Sequence, residues 1–568
     1  MTGLISAIAW VQRGVSAQHP HKYVLDEKEL ERVSALARIE LEDARKELER
    51  AHEAAKSMGR GAEGDEADDA GDDDEENWVD EDEDAMDVDP AQKPKDDDLS
   101  QYKLDEYDDD IKTTDAGPFS NMKGLTYYRD NEEDPYITLK EDDEDEREEL
   151  EVLPTDNLIV IAKTEDEISQ LEVYVYDESQ ENLYAHHDLM LPNFPLCLEW
   201  LDFPPASSSS SASAPTDGAK LRFGNYIAVG TLDPEIEIWS LDVVEAMYPN
   251  TILGRPDQTK AHVPAPLGTG KKKKKKTKHR AAEKGYHVDA VLGLSWNKVQ
   301  RNLLASASAD RTVKLWDLSR DPTINGDVME DGAGGGAIRS FDVHKDKVQA
   351  VQWNQKGPSV LLTGSYDRTV RIFDSRAPTS GVGAILGSDV EALRWDPWEE
   401  HGFYVSLENG LVLNFDVRTL PSNLDNPSPA RFTLSAHDGA VSSIDVNPHI
   451  KGCIATGGTD KLVKVWNVVD ESEGGKRNVS LVTSRDLGVG KVFSTAWSPD
   501  DPLTLAAAGS KAKLQVWDVG ANAGARKAFG AKLREAGRVL REKEASSGGV
   551  IGVVSDDEES DDEGGDED

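Results

Sequence analysis

Cysteine is nearly absent from this chain: Cys197 and Cys453 are the only two among 568 residues. That excludes a disulfide framework and a cysteine-rich zinc site, and it points to a reducing, intracellular compartment. No apolar run reaches the roughly 18 residues of a membrane span. The opening MTGLISAIAWVQRG has neither a basic leader nor a long apolar core, so no secretory signal is expected. Catalytic signatures are missing as well. There is no P-loop, nucleophile elbow, HExxH or paired-cysteine motif, so the expectation is a non-enzyme with no cofactor and no bound metal.

Positive charge is the other scarcity, with 63 Lys and Arg against 110 Asp and Glu and a net charge of −47. The deficit is local. Residues 62–98 hold 20 acidic and 2 basic side chains, 130–151 hold 13 and 2, and 105–110 and 555–568 add 5 and 10 acidic ones. Such tracts repel themselves and cannot bury a core, so disorder is expected there, and the remaining chain is close to neutral.

What is present is a repeat. Residues 287–316, 344–373 and 437–466 each open on His and, 29 residues on, close on Trp316, Phe373 and Trp466. Each reads as short alternating strands joined by turns. A shorter pattern places an apolar residue, another three on, and an aromatic two further. It occurs at Ile5/Ile8/Trp10, Pro195/Leu198/Trp200, Val291/Leu294/Trp296, Val348/Val351/Trp353, Val390/Leu393/Trp395, Val441/Ile444/Val446 and Val492/Thr495/Trp497. A strand ending in an aromatic before a polar residue also occurs seven times, from Tyr176-Asp177 to Trp517-Asp518. Ten of the 12 tryptophans fall on these two patterns, and Trp78 and Trp398 stand outside. The first series starts at residue 5 and the second near 176, so the first unit is expected to be split. Its inner strand comes from 1–13 and its middle strands from 157–163 and 171–177, with a long insertion between.

Flanking segments read separately. An amphipathic helix is expected over 26–57, where Leu30, Val33, Ala37, Leu41, Ala44 and Leu48 step by three and four. The acidic insert, 59–150, contains an island at 117–139 whose Phe119, Tyr127, Tyr128 and Tyr136 suit docking. Repeats fill 153–520, with disordered loops at 204–220 and 250–285. The second loop carries Lys271, Lys272, Lys273, Lys274, Lys275, Lys276, Lys278 and Arg280, a sharp reversal of charge read as a nuclear import or RNA-contact element. A basic helix over 522–544, with Arg534, Arg538 and Arg541, is a second RNA candidate or a helix packed beneath the body. An acidic tail, 545–568, offers Ser555 and Ser560 to acidophilic kinases.

The His-to-Trp units resemble WD40 repeats, and that resemblance implies an all-β fold, a seven-bladed β-propeller of four-stranded blades. It also implies a hydrogen-bond network in each matching blade: His287, Ser306, Asp310 and Trp316; His344, Thr363 and Asp367; His437, Thr456, Asp460 and Trp466. Blade five has Ser388 and Asn409 at these positions and blade seven has Gly488 and Lys511, so both are expected to hold by packing alone. WD40 proteins commonly receive partners at one rim, here Ala309, Tyr366, Thr459, Asp289, Lys347 and Asp438. Beyond the repeats, ISAIAWVQRGVSAQHP, the LDEKELER helix, the acidic insert and GPFSNMKGLTYYRDNEEDPYITL resemble the periodic tryptophan proteins. That resemblance implies a scaffold of the nucleus and nucleolus that supports pre-rRNA processing and assembly of the large (60S) ribosomal subunit. Its partners would be proteins and pre-rRNA of pre-60S particles. A chromatin platform that binds histones and regulates ribosomal DNA transcription is the alternative, since acidic tracts attract basic histones.

Overall fold

A computed structural model describes residues 3–23, 147–148, 150–166, 168–206, 223–255, 281–320, 336–470, 477–535 and 549–553. The helix expected over 26–57, the island at 117–139, Lys271–Lys276, Lys278, Arg280, Arg538, Arg541, Ser555 and Ser560 lie outside the described residues.

Seven four-stranded antiparallel sheets form the body. Blade one takes its innermost strand from Gly3–Val11, followed by Asn157–Glu165, Ile168–Asp177 and Asn182–Leu191. Blade two comprises Pro195–Leu201, Tyr226–Thr231, Ile236–Ser240 and Thr251–Leu253. Blades three to six begin at Val291–Trp296, Val348–Trp353, Val390–Trp395 and Ser443–Val446. Blade seven comprises Val492–Trp497, Thr504–Gly509, Leu514–Asp518 and Val550–Gly552.

The spacing of three and then two in the inner strands has a backbone cause. Pairing shifts by one residue between Val291 and Gly293, so Val291, Leu294 and Trp296 face Ser308, Ser306 and Leu304 on a neighbour of strict period two. Equivalent bulges occur in blades one, two, four, five and seven. The aligned residues are buried between blades, as at Ile5 (0 %), Val291 (0 %) and Trp296 (5 %).

Successive inner strands are also tied by polar hooks. The residue before each tryptophan reaches the next blade: Glu199 Oε1 accepts Trp296 N–H at 3.0 Å, Ser295 Oγ accepts Trp353 N–H at 3.1 Å, and Gln352 Oε1 accepts Trp395 N–H at 2.7 Å. Asp445 then accepts Arg394 Nε at 2.8 Å and Trp497 N–H at 2.8 Å. Blades seven and one carry Ala496 and Ala9 at this position, and the ring closes differently there. Trp10 Nε1 donates to the Ala496 carbonyl at 3.0 Å, Asp500 accepts Arg13 N–H and Asn157 Nδ2, and Arg13 pairs with Asp501 at 2.6 Å. Ile5, Ile8 and Trp10 pack with Ala506, Ala508, Leu514 and Val516 of blade seven.

Two features depart from the sequence expectations. Thr251–Leu253 lies in the segment read as a loop and forms the outer strand of blade two. Val550–Gly552, read as part of the acidic tail, pairs with Gln515–Trp517 as the outer strand of blade seven. Of the basic helix expected over 522–544, the described part, α1, spans Ala523–Glu535. Its cap is Asn522, whose Oδ1 accepts Gly524 N–H at 2.7 Å, and Ala525, Phe529 and Leu533 bury one face against the core of blades six and seven.

Candidate docking surfaces

At one end of the strands, the turn between the second and third strands meets the loop that enters the blade. In blade three Asp310 Oδ2 accepts from His287 Nδ1 at 2.9 Å, and His287 Nε2 lies 2.7 Å from Ser306 Oγ. Trp316 Nε1 donates to the same Ser306 oxygen at 2.8 Å. An ionised Asp310 fixes the proton on Nδ1, so Nε2 is an acceptor, and the Ser306 hydroxyl donates to it while accepting from the indole. Blade four repeats this with His344, Asp367 (3.1 Å) and Thr363 (2.8 Å). The Phe373 ring has no N–H to offer, so the indole's place in the network is empty, and the single Thr363 hydroxyl hydrogen is shared between His344 Nε2 and the Arg371 carbonyl 3.3 Å away. In blade six His437 binds Asp460 at 2.9 Å and Thr456 at 2.9 Å, and Trp466 Nε1 donates to Thr456 at 2.9 Å.

Burial alone would raise the Asp310 carboxyl, but hydrogen bonds from His287 and Thr312 outweigh it and hold the group at about 2. Burial pushes His287 down and keeps it neutral. Thr312 and Thr369, two residues past the turn aspartates, donate to Asp310 and Asp367 at 2.7 Å each. Sequence reasoning passed over both; the Asp-Arg-Thr triplet shared by the two blades was the available signal.

The structure divides the expected rim. Ala309 is 3 % exposed and offers almost no surface to a partner, and its N–H donates to the Ala290 carbonyl at 2.9 Å. Asp289, Lys347 and Asp438 are exposed, and Tyr366 and Thr459 are half-buried. A cavity of about 240 Å³ is lined by Ala282, Val288, Asp289, Asp310, Arg311, Asp342 and His344, so it takes in Asp289 and none of the other five. Tyr366 has a separate acidic setting: burial, with Glu391, Asp389 and Glu408 nearby, pushes its hydroxyl up to about 12.

At the other strand ends, blade five is not held by packing alone. Glu399 pairs with Arg431 at 2.7 Å and Arg477 at 2.6 Å, Asp416 takes both Arg418 and Arg431, and Arg477 Nε reaches Asp470 at 3.0 Å. These groups line a cavity of about 520 Å³ with Glu400, His401 and Gly402. Its members come from blades five and six, and no local spacing announces them. Burial would raise Glu399, and the two arginines overcome it and lower it.

Burial pushes the Cys197 thiol up to about 12 and Cys453 higher still, which keeps both protonated. Among the described residues no group of three His, Cys, Asp or Glu side chains could hold a metal ion. Arg534 is exposed on α1, whose inward face is spent on packing.

Seven four-stranded blades, three with the histidine-to-aspartate network, make this a WD40-type β-propeller protein. The WD domain, G-beta repeat family matches residues 284–317, 335–374 and 429–467, the stretches that carry that network. Similarity to whole proteins extends well past them. An uncharacterized WD repeat-containing protein of Schizosaccharomyces pombe is 40 % identical over 541 residues, which cover 94 % of this chain and 92 % of the relative. Periodic tryptophan protein 1 of Saccharomyces cerevisiae is 36 % identical, with 93 % and 90 % covered, and the Drosophila melanogaster homolog is 28 % identical, with 93 % and 96 % covered. The chain belongs to the family of Periodic tryptophan protein 1.

Proposed function

We propose that this protein is a non-enzymatic scaffold of the nucleus and nucleolus that assembles precursors of the large ribosomal subunit by docking proteins and pre-rRNA. The observation that carries this reading is similarity to Periodic tryptophan protein 1 along 93 % of the chain, far beyond the three repeat stretches. A propeller alone would support only a platform. The half-buried Tyr366 beside Asp389, Glu391 and Glu408 suits a basic protein partner, which ribosomal and histone surfaces both offer. Lys271–Lys276 serve import in this reading.

Sedimentation of nuclear extract from cells carrying tagged protein tests it. Migration with large-subunit precursors, lost after RNase, together with accumulation of large-subunit pre-rRNA on depletion, is the expected result. Retention on nucleosomes after RNase with normal rRNA processing would replace it with the chromatin reading. Tyr366→Ala should weaken association with the precursor without lowering Tm; unchanged association moves protein docking off this rim.

A further inference from the structure

Trp398 belongs to neither tryptophan pattern, and it behaves differently from the rest. Among the described residues it is the tryptophan that stays more than a third exposed, at 39 %. It sits in the loop between the first and second strands of blade five. Its indole N–H is already used, donating to the Asn447 carbonyl at 3.0 Å, so the ring is held in place with no donor left for a partner. What remains is an exposed aromatic surface.

The loops on this face form a continuous arc, because each is bonded to the next. Asn297 Nδ2 donates to the Pro358 carbonyl at 2.7 Å, Asn354 Nδ2 to the Glu400 carbonyl at 2.9 Å, and Trp398 Nε1 to Asn447. Lys532 of α1 then reaches the Lys451 carbonyl at 2.8 Å. Along the arc lie Lys298 of blade three, Lys356 of blade four, Trp398 of blade five, Lys451 of blade six, and Lys527 and Arg534 of α1, all exposed. Glu399 within it is neutralised by Arg431 and Arg477, Glu400 is exposed next to Trp398, and the exposed Asp470 lies 3.5 Å from Lys451 Nζ, a loose surface pair that a phosphate would have to displace.

We propose that this arc is a binding surface for single-stranded RNA, with an unpaired base stacked on Trp398 and the flanking phosphates held by Lys356 and Lys451 toward α1. The proposal rests on the pre-rRNA part of the function above and deepens it by naming the surface and the form of RNA. A fixed aromatic face between cations is the arrangement that takes a strand without reading its sequence, because every base has a π-face. In a chain this acidic, exposed cations on one face give a polyanion a local site of attraction.

The test is fluorescence anisotropy of the full-length protein with a labelled single-stranded RNA of about 12 nucleotides, and with the same sequence as a duplex. Trp398→Leu should weaken single-strand binding about tenfold, and Trp398→Phe, which keeps a stacking face, should recover most of it. Lys356→Ala with Lys451→Ala should lower the slope of log affinity against log salt by about 1.4. The lysine pair is exposed, so it keeps the test valid if Trp398→Leu fails to fold. Equal loss for Leu and Phe with an unchanged salt slope overturns the proposal, as does preference for duplex or no RNA binding by the wild type. If Trp398→Leu instead abolishes sedimentation with large-subunit precursors while RNA affinity is unchanged, the arc takes a protein: this inference falls and the scaffold stands. RNA binding as expected, with no sedimentation on those precursors, keeps the arc and removes the scaffold.

Discussion

Asp310 stays ionised at a position where burial works against charge, because His287, Thr312 and the Val288 N–H all donate to it. Asp310→Ala leaves those donors unpaired inside the protein and should cost about 1–3 kcal/mol of stability, measured by chemical denaturation. A carboxyl depressed from 3.8 to about 2 contributes stability that is present above the higher value and lost as pH falls through the lower. The penalty of Asp310→Ala should therefore shrink in acid. Glu237 has the opposite sign. Burial, aided by Glu235 and Asp233, raises it to about 7 despite the hydrogen bond from Trp239 Nε1. Its folded form holds a proton that the unfolded chain has released, so its contribution is complete below about 4.5 and lost as pH rises through about 7. Glu237→Gln keeps an acceptor for the indole and removes the ionisation. Its Tm should exceed that of the wild type at pH 8 and match it near pH 5; a difference that does not depend on pH would show that Glu237 ionises freely.

At the scale of elements, the innermost strand of blade one and the outermost strand of blade seven are both supplied by terminal segments, and their contributions differ. Gly3–Val11 pairs along most of its length with Leu158–Glu165 and buries Ile5, Ile8 and Trp10, whereas Val550–Gly552 is three half-buried residues at an edge. Deleting residues 1–12 should strip one face of the core, expose a sheet edge and lower Tm by many degrees or prevent folding. Deleting 549–568 should lower it by only a few. Equal melting of the two truncations would mean that the inner strand adds no more than an edge strand does. The inner strand was legible because its bulge imposes a distinctive spacing on large apolar residues. Val550–Gly552 and Thr251–Leu253 were not, since three residues carry no periodicity and acidic or basic runs surround them. The His-to-Trp network was legible for a related reason: its members lie at fixed offsets within one unit. Glu399 with Arg431 and Arg477 joins residues from different blades, and Ala309 was expected to offer surface at the rim although it and Asp310 are both buried in the turn.

Across the whole molecule, stability and recognition depend on how seven similar blades close into a ring and on where the charge is kept. Asp445 ties blades five, six and seven through Arg394 and Trp497, so Asp445→Ala should cost about 1–3 kcal/mol although no apolar contact is removed. Asp445→Asn keeps an acceptor for the Trp497 N–H and should recover part of that loss. Charge is sorted on a larger scale. Residues 555–568 hold 10 carboxylates, whereas Lys271–Lys276 and the exposed face of α1 are cationic. If these cations take RNA as proposed, an acidic segment on the same chain competes with its phosphates, and that competition is electrostatic and screened by salt over about 10 Å at 0.1 M. Removing 555–568 should therefore raise affinity for RNA of arbitrary sequence at low ionic strength, with the gain vanishing above about 0.5 M salt, where Debye lengths fall toward a few ångströms. Replacing Lys271–Lys276 with neutral residues should reduce nuclear accumulation and leave Tm unchanged, since import needs an accessible basic run and the blades do not. Combining the two changes separates the roles: if the tail acts by masking those lysines, the gain in RNA affinity from its removal disappears in the double variant. If the gain persists in full, the cations that the tail shields are those of α1 and the adjoining loops.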